Sequence, residues 1–343
     1  MTPHAAEISA VPRPGASPGE AGLRVAVLGA TGTIGRAVVA ALQRRGCAAV
    51  ALVRRRPVRA DLAALLPGAV VRAADVTDPA SLVRDGFAGE RFDAVISCMA
   101  SRTGAPGDAW AVDHDAQQAA LAAAREAGIA HFVLLSALCV QRPRLAFQHA
   151  KLAFEAKLAA SGLRYSIVRP TAFFKSLTGQ VARVRQGRPF LIFGDGRLTA
   201  CKPIGDEDLA DYIVDCLTDE SRWDRILPIG GPGEAITPRD QGEALFALLG
   251  RPPRFRSVPV ALLDVIIAGL SGLGRLVPAL ADKAELARIG RYYATESMLV
   301  WNPARGRYDA DATPSTGSQT LFDLYRRILA GEAAPDRGDH AVF

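Results

Sequence analysis

Three glycines at a spacing of three, Gly29, Gly32 and Gly35, lie within the stretch Arg24 to Arg36, RVAVLGATGTIGR. Val25, Val27 and Leu28 before them read as a strand covered on both faces. A helix is expected from Gly35 to about Arg45. Such a strand–glycine turn–helix cradles a pyrophosphate. The first glycine permits the tight turn, the second lets backbone approach the phosphates, and the third lets helix and strand pack closely. The helix points its N-terminal amides at the anion. The expected cradle is therefore Gly29, Thr31, Gly32, Thr33, Ile34 and Gly35.

A second strand, Ala48–Val53, ends in Arg54-Arg55-Arg56. An acid near this point would bond the ribose 2′-hydroxyl of NAD. None is present, and Arg54 and Arg55 suit a 2′-phosphate. The expected cofactor is NADPH; a solvated run of loop charge is the plain alternative. Asp75, with Val76, follows a third strand (Ala69–Ala73) and is placed to accept from an adenine amino group. Met99 follows a fourth strand (Ala94–Cys98), in a loop expected to pass under the cofactor. Ser136 ends a fifth strand that opens at His131. A sixth strand, Arg164–Arg169, runs into Pro170, Thr171, Ala172 and Phe173, further cofactor contacts. Phe173 and Phe174 line a flat aromatic pocket or pack the core.

These sites need elements to hold them. Strands alternate with helices near Asp115–Ala127 and from Phe147 to about Ala160. That pattern predicts an α/β fold, a doubly wound parallel sheet of Rossmann type with a smaller C-terminal cap. Phe190–Phe193 and Ile226–Ile229 read as later strands. Asp206–Leu217 reads as a helix capped by Asp206, and Arg239–Leu249 and Ala281–Tyr293 as helices. The expected division is a disordered leader (1–22), an NADP-binding core (23–173), a segment completing the sheet and forming the cap (174–335), and a tail (336–343). The chain of 343 residues is 49% hydrophobic, enough for a sizeable core.

Net charge is +6, with no dense basic block beyond Arg54–Arg56, which disfavours nucleic acid and fits an anionic small ligand. Cys47, Cys98, Cys139, Cys201 and Cys216 are scattered with no C-x-x-C pair, so no metal site is expected and a reducing cytoplasm fits. The leader lacks the apolar core of a signal peptide. The longest apolar stretch, Val258–Leu280, is broken by Pro259, Asp264, Arg275 and Pro278. It reads as a buried or interfacial helix rather than a spanning one.

Ser136 and the stretch Phe147-Gln148-His149-Ala150-Lys151 resemble the catalytic positions of short-chain dehydrogenases. There a serine works with Tyr-x-x-x-Lys; the tyrosine protonates a carbonyl oxygen and the lysine holds the nicotinamide ribose. Here the lysine position is Lys151 and the tyrosine position is Phe147, which has no proton to give. Either the chain is a catalytically dead binder, or its reaction needs no acid on a carbonyl oxygen. Reduction of a conjugated C=C bond is such a reaction.

Longer segments sharpen the resemblance. GATGTIG (Gly29–Gly35) and YSIVRPTAFFKS (Tyr165–Ser176) resemble atypical, isoflavone-reductase-like short-chain dehydrogenases. HFVLLSALCV (His131–Val140), FGDGRLTACKPIG (Phe193–Gly205), LPIGGPG (Leu227–Gly233), IGRYYATESMLV (Ile289–Val300), YDADATP (Tyr308–Pro314) and the final Ala341-Val342-Phe343 are more specific. Together they are similar to the NADPH-dependent 3,8-divinyl chlorophyllide a 8-vinyl reductases of chlorophyll and bacteriochlorophyll synthesis. The resemblance implies a flat, acidic, Mg-containing tetrapyrrole substrate whose 8-vinyl group is reduced to ethyl, with no iron–sulfur cluster and no metal site on the protein. It implies Lys151 and Phe147 at the reacting centre and Phe147, His149, Phe174, Lys202 and Tyr292 against the pigment. A cytoplasmic protein touching the photosynthetic membrane at its periphery fits that substrate. A phenolic or quinone reductase, and a non-catalytic NADP(H) sensor or assembly protein, are the competing readings.

Overall fold

Short apolar runs between glycines and charges become the strands. The computed structural model describes residues 22–54, 62–274 and 277–334. β1 (Arg24–Leu28), β2 (Ala48–Val53), β3 (Val70–Ala73), β4 (Ala94–Ser97), β5 (His131–Leu135), β6 (Arg164–Pro170) and β8 (Arg225–Ile229) form one seven-stranded sheet, ordered β3-β2-β1-β4-β5-β6-β8. Every neighbouring pair is parallel. The expected doubly wound sheet is present.

β1 shows why such strands carry no polar interruption. Val25 and Val27 point to one face and Ala26 and Leu28 to the other, and all four are fully buried. The Val25 face packs on α1 (Thr33–Arg44) through Val38 and Leu42, and on a later helix through Leu209 and Ile213. The Leu28 face packs on α2 (Gln117–Glu126) through Ala120 and Ala124, and on α3 (Ala146–Ala159) through Phe154 and Leu158.

Several boundaries differ from expectation. α1 begins at Thr33, two residues early, because the turn closes within Gly29–Gly32. The helix expected from Asp115 has an upstream start: a short turn Pro106–Ala109 and a wide π-helical turn Trp110–Ala116 run into α2. α4 (Asp206–Asp215) is capped by Gly205, not Asp206; Asp206, Glu207 and Asp208 fill its first turn, where acids complement the helix dipole.

Past β6 a third apolar cluster forms. Phe190 and Ile192 of β7 (Phe190–Phe193) meet Leu245 and Phe246 of α5 (Pro238–Leu248) and Leu321, Tyr325 and Ile328 of a C-terminal helix, Leu321–Ala330. β7 pairs in parallel with β9 (Phe255–Val258). α6 (Val260–Gly274) then packs against α7 (Pro278–Thr295). Of the two expectations for this stretch, buried or interfacial, burial does not hold: none of the residues of α6 is buried, and Val265 is 69% exposed. Sequence apolarity does not bury a helix that, among the described residues, packs mainly on one neighbour. Among the described residues no helix is long and apolar enough to cross a membrane.

Candidate active site

The sheet order reverses between β1 and β4, and open α/β sheets bind ligands outside the carboxyl ends of strands at such a point. The loop after β1 is the glycine turn. Gly29 takes φ +71°, and a Cβ there would lie 2.6 Å from the Cys98 carbonyl carbon and 2.8 Å from the Met99 amide. A Cβ on Gly35 would lie 2.2 Å from the Gly29 oxygen, so the third glycine is what lets α1 seat on the turn. Gly32 has ordinary extended backbone (φ −73°, ψ 168°), and a Cβ there meets only the Gly29 oxygen, at 3.3 Å. Neither turn closure nor packing requires this glycine; an external group approaching the backbone would.

No side chain caps α1, and no acid stands in its first turn. Thr31 and Gly32 are exposed, while Ile34 and Gly35 are buried behind them. Lys175 donates to the Thr33 hydroxyl at 2.6 Å, which brings a cation to the same helix terminus. An exposed turn, a helix N-terminus and a lysine fit a pyrophosphate. Arg54 is exposed directly beyond β2. Arg55 lies outside the described residues. Asp75 is exposed beyond β3, with one carboxylate oxygen engaged by the Thr77 amide (2.9 Å) and hydroxyl (2.7 Å). Val76 and Met99 are buried, and the Met99 carbonyl accepts from Gln117 at 3.3 Å.

The dehydrogenase-like positions separate into two groups. Phe147 and Lys151, four apart, share one face of α3. A Cβ on Gly104 would sit 2.7 Å from Ile289 Cδ1 and 3.7 Å from Phe147 Cδ1, so the Phe147 ring borders the β4 loop and α7. An apolar cluster continues through Leu145, Ile289, Tyr292 and Met298. Lys151 is buried and donates to Asp113 at 2.8 Å. Ser136 is not part of this group. Its hydroxyl donates to Glu155, which also pairs with the partly buried Arg169 of β6, so the serine oxygen is spent on fastening the end of β5 to α3.

Other expected contacts are also redirected. His149 is exposed: two residues from Phe147, it cannot share that helix face. Phe174 is 5% exposed and belongs to the third core cluster, with its ring against Gly205; Phe173 packs on the first cluster. The Thr171 hydroxyl donates to the Lys202 carbonyl, and Lys202 Nζ donates to the Thr313 carbonyl at 3.1 Å. Pro170 and Ala172 continue the β6 end, with the Ala172 carbonyl accepting from Ile204 at 2.9 Å. Tyr292 adds its ring to the apolar cluster, but its hydroxyl donates to the carbonyls of Cys139 (2.9 Å) and Arg142 (3.2 Å). Burial pushes the Tyr292 phenol well above its usual range, and the Cys201 thiol up to about 12.

Sequence reading missed two residues. Lys175 meets Thr33 across 142 positions, a contact no local pattern announces. Asp113 sits among Asp108, His114 and Asp115, and nothing local sets it apart from them. Only the wide turn Trp110–Ala116 brings it inward.

The NAD(P)H-binding family model matches residues 29–220. Divinyl chlorophyllide a 8-vinyl-reductase of Zea mays is 50% identical over 331 residues, covering 93% of this chain and 82% of its own length. The Arabidopsis thaliana reductase of the same name is 44% identical, covering 92% and 79%. Among solved structures, a leucoanthocyanidin reductase–NADPH complex from Vitis vinifera superposes with a TM-score of 0.67 at 14% identity, covering 90% of this chain and 99% of that one. The Escherichia coli NADPH-dependent quinone oxidoreductase QOR2 gives 0.61 at 21%, covering 89% and 99%. These two likenesses show the shared fold. The sequence relationship extends through the glycine turn, the Phe147–Lys151 face and α7: the chain belongs to the NAD(P)H-binding family and, within it, to the divinyl chlorophyllide a 8-vinyl-reductase family.

Proposed function

We propose that this protein reduces the 8-vinyl group of divinyl chlorophyllide a, or of its protochlorophyllide counterpart, to ethyl with NADPH. The observation that carries the reading is the 44–51% identity, over more than nine-tenths of the chain, to reductases of that name. NADPH, when bound, supplies the hydride for the vinyl group, and a proton completes the ethyl. Gly29 to Gly35 and Lys175 hold the phosphates, and Arg54 with Arg55 takes the 2′-phosphate. Phe147 offers an apolar face to a flat ring system and excludes water from it. Lys151 keeps a positive charge beside the charge that develops in the macrocycle; one such preorganised group can contribute several kcal/mol in a dry site. Residues 174–335 complete the sheet and form the cap over the pigment. The protein works in the cytoplasm at the periphery of the photosynthetic membrane. The exposed apolar residues Leu262, Val265, Ile266 and Leu273 of α6 support that location.

The test is an NADPH assay on purified protein with divinyl chlorophyllide, read as a blue shift of the Soret band and a gain of two hydrogens by mass. Lys151→Ala should lower turnover about 10²-fold. NADPH binding with no turnover would favour a sensor. Turnover of phenolics or quinones with the pigment ignored would replace the substrate.

A further inference from the structure

Asp113 is 2% exposed, and among the described residues its carboxylate pairs with one side-chain cation. Oδ1 accepts from Lys151 Nζ at 2.8 Å and from the Ser101 amide at 3.3 Å. Oδ2 is buried with no hydrogen-bond partner among the described residues. Burying both charges of a pair and leaving one oxygen orphaned gives the fold little, because desolvation offsets the attraction. The pair also lies at a telling place. Gly29 abuts Cys98 and Met99, and two residues further the Ser101 amide reaches Asp113. One short loop thus runs from the phosphate turn to Lys151. Asp113 itself stands on the π-helical turn Trp110–Ala116, a deformation that is frequent at functional sites.

We propose that Asp113 is the positioning residue of Lys151: it fixes the ammonium where the nicotinamide-ribose half of the bound dinucleotide ends. This rests on the reading of the glycine turn as the NADPH site. An ammonium has three donors and Asp113 takes one, leaving two for ligand hydroxyls. Without the carboxylate, the lysine is a buried cation on a flexible stem, free to turn away.

The experiment compares two ligands on Asp113→Asn. NADPH carries both halves of the dinucleotide; 2′,5′-ADP carries only the adenine half. Asp113→Asn should weaken NADPH about 10-fold or more while 2′,5′-ADP binds as to the parent, both measured by calorimetry. Turnover of divinyl chlorophyllide should fall with the KM for pigment unchanged. If the uncompensated lysine prevents folding, Asp113→Asn with Lys151→Met removes both charges. It should melt no lower than the parent and show the same selective loss. Equal weakening of both ligands, or NADPH affinity equal to the parent's, overturns the proposal. Binding uses no pigment, so a selective loss without vinyl reduction refutes the substrate reading and leaves the positioning role standing. A parent that binds neither ligand refutes the cofactor reading and, with it, this proposal.

Discussion

Gly32 and Gly35 occupy one turn but serve different masters, and alanine at each should separate cofactor binding from folding. At Gly35 a Cβ would lie 2.2 Å from the Gly29 oxygen and 2.8 Å from the Ala30 Cα. Both are backbone atoms, so relief needs α1 or the turn to move by about an ångström. Overpacking of this kind costs about 1–3 kcal/mol, and rigid neighbours place it near the upper end. Helix propensity would return only about 1 kcal/mol. At Gly32 the backbone suits any residue, and the nearest atom is at 3.3 Å. Loss of folding stability there should stay below about 1 kcal/mol, the difference between glycine and alanine as a cap.

Ligand binding should show the reverse order. A methyl at Gly32 stands where phosphate oxygens must reach the amides, and each charged hydrogen bond lost costs about 1.5–3 kcal/mol. Suppose NADPH is present at 100 times the parent Kd. It then stabilises the parent by about 2.7 kcal/mol; a 100-fold weaker variant gains only about 0.4 kcal/mol. Thermal unfolding with and without NADPH reads both effects at once. Gly32→Ala should melt close to the parent alone and lose nearly all of the NADPH-induced rise. Gly35→Ala should melt several degrees lower even without ligand. A Gly32→Ala protein that keeps the full rise, or a Gly35→Ala protein as stable as its parent, would refute the division of labour.

Arg54→Ala should weaken NADPH at least 10-fold and leave NADH unaffected, as measured by the ratio of their dissociation constants; a ratio equal to the parent's removes the 2′-phosphate reading. Phe147→Tyr should add nothing to vinyl reduction, because an alkene presents no oxygen to protonate, and a rate gain would show that the ring hides a missing acid. His131 is buried against the Ser166 hydroxyl (3.1 Å), and burial, aided by Arg164, lowers its pKa to about 4. A depressed histidine contributes stability that is present above its unfolded value of about 6.5 and is lost as pH falls toward about 4, roughly 3 kcal/mol at most. Chemical unfolding across that window should therefore show a slope that His131→Gln flattens, and an unchanged slope would contradict the assignment.

The sheet was legible because its strands are short apolar runs between punctuating residues. β2 has its expected bounds, as does β7 outside the sheet, and β1 alternates its four buried side chains between two helical layers. The glycine spacing was legible for the same reason: it is local. What stayed hidden depends on contacts far apart in sequence. Ser136 follows directly on β5, yet its hydroxyl belongs to Glu155 on α3. Phe174 follows the right strand but turns into a core that Phe190, Leu245 and Tyr325 assemble. His149 sits between Phe147 and Lys151 but on another side of the helix. Lys202 and Thr171 are near one another, but each polar group is tied to backbone. In every case the direction of the side chain was set by a partner or a helix face that position along the chain does not name.

The empty tyrosine position at Phe147 invites the view that catalysis has been lost. The side chain four residues on argues against it. A surface lysine costs the fold nothing and says nothing about function. Lys151 is not such a lysine: its ammonium is held out of water against a carboxylate that is itself buried. A pair of that kind is often no more stabilising than apolar residues of equal size. A binder that only senses the dinucleotide could hold it by the glycine turn, Lys175 and the arginines beyond β2. What it would not need is the apolar face of Phe147, Ile289 and Tyr292 beside that cation. That combination, a charge kept in place and an acid left out, fits a reaction that builds negative charge in a greasy substrate and puts no proton on oxygen.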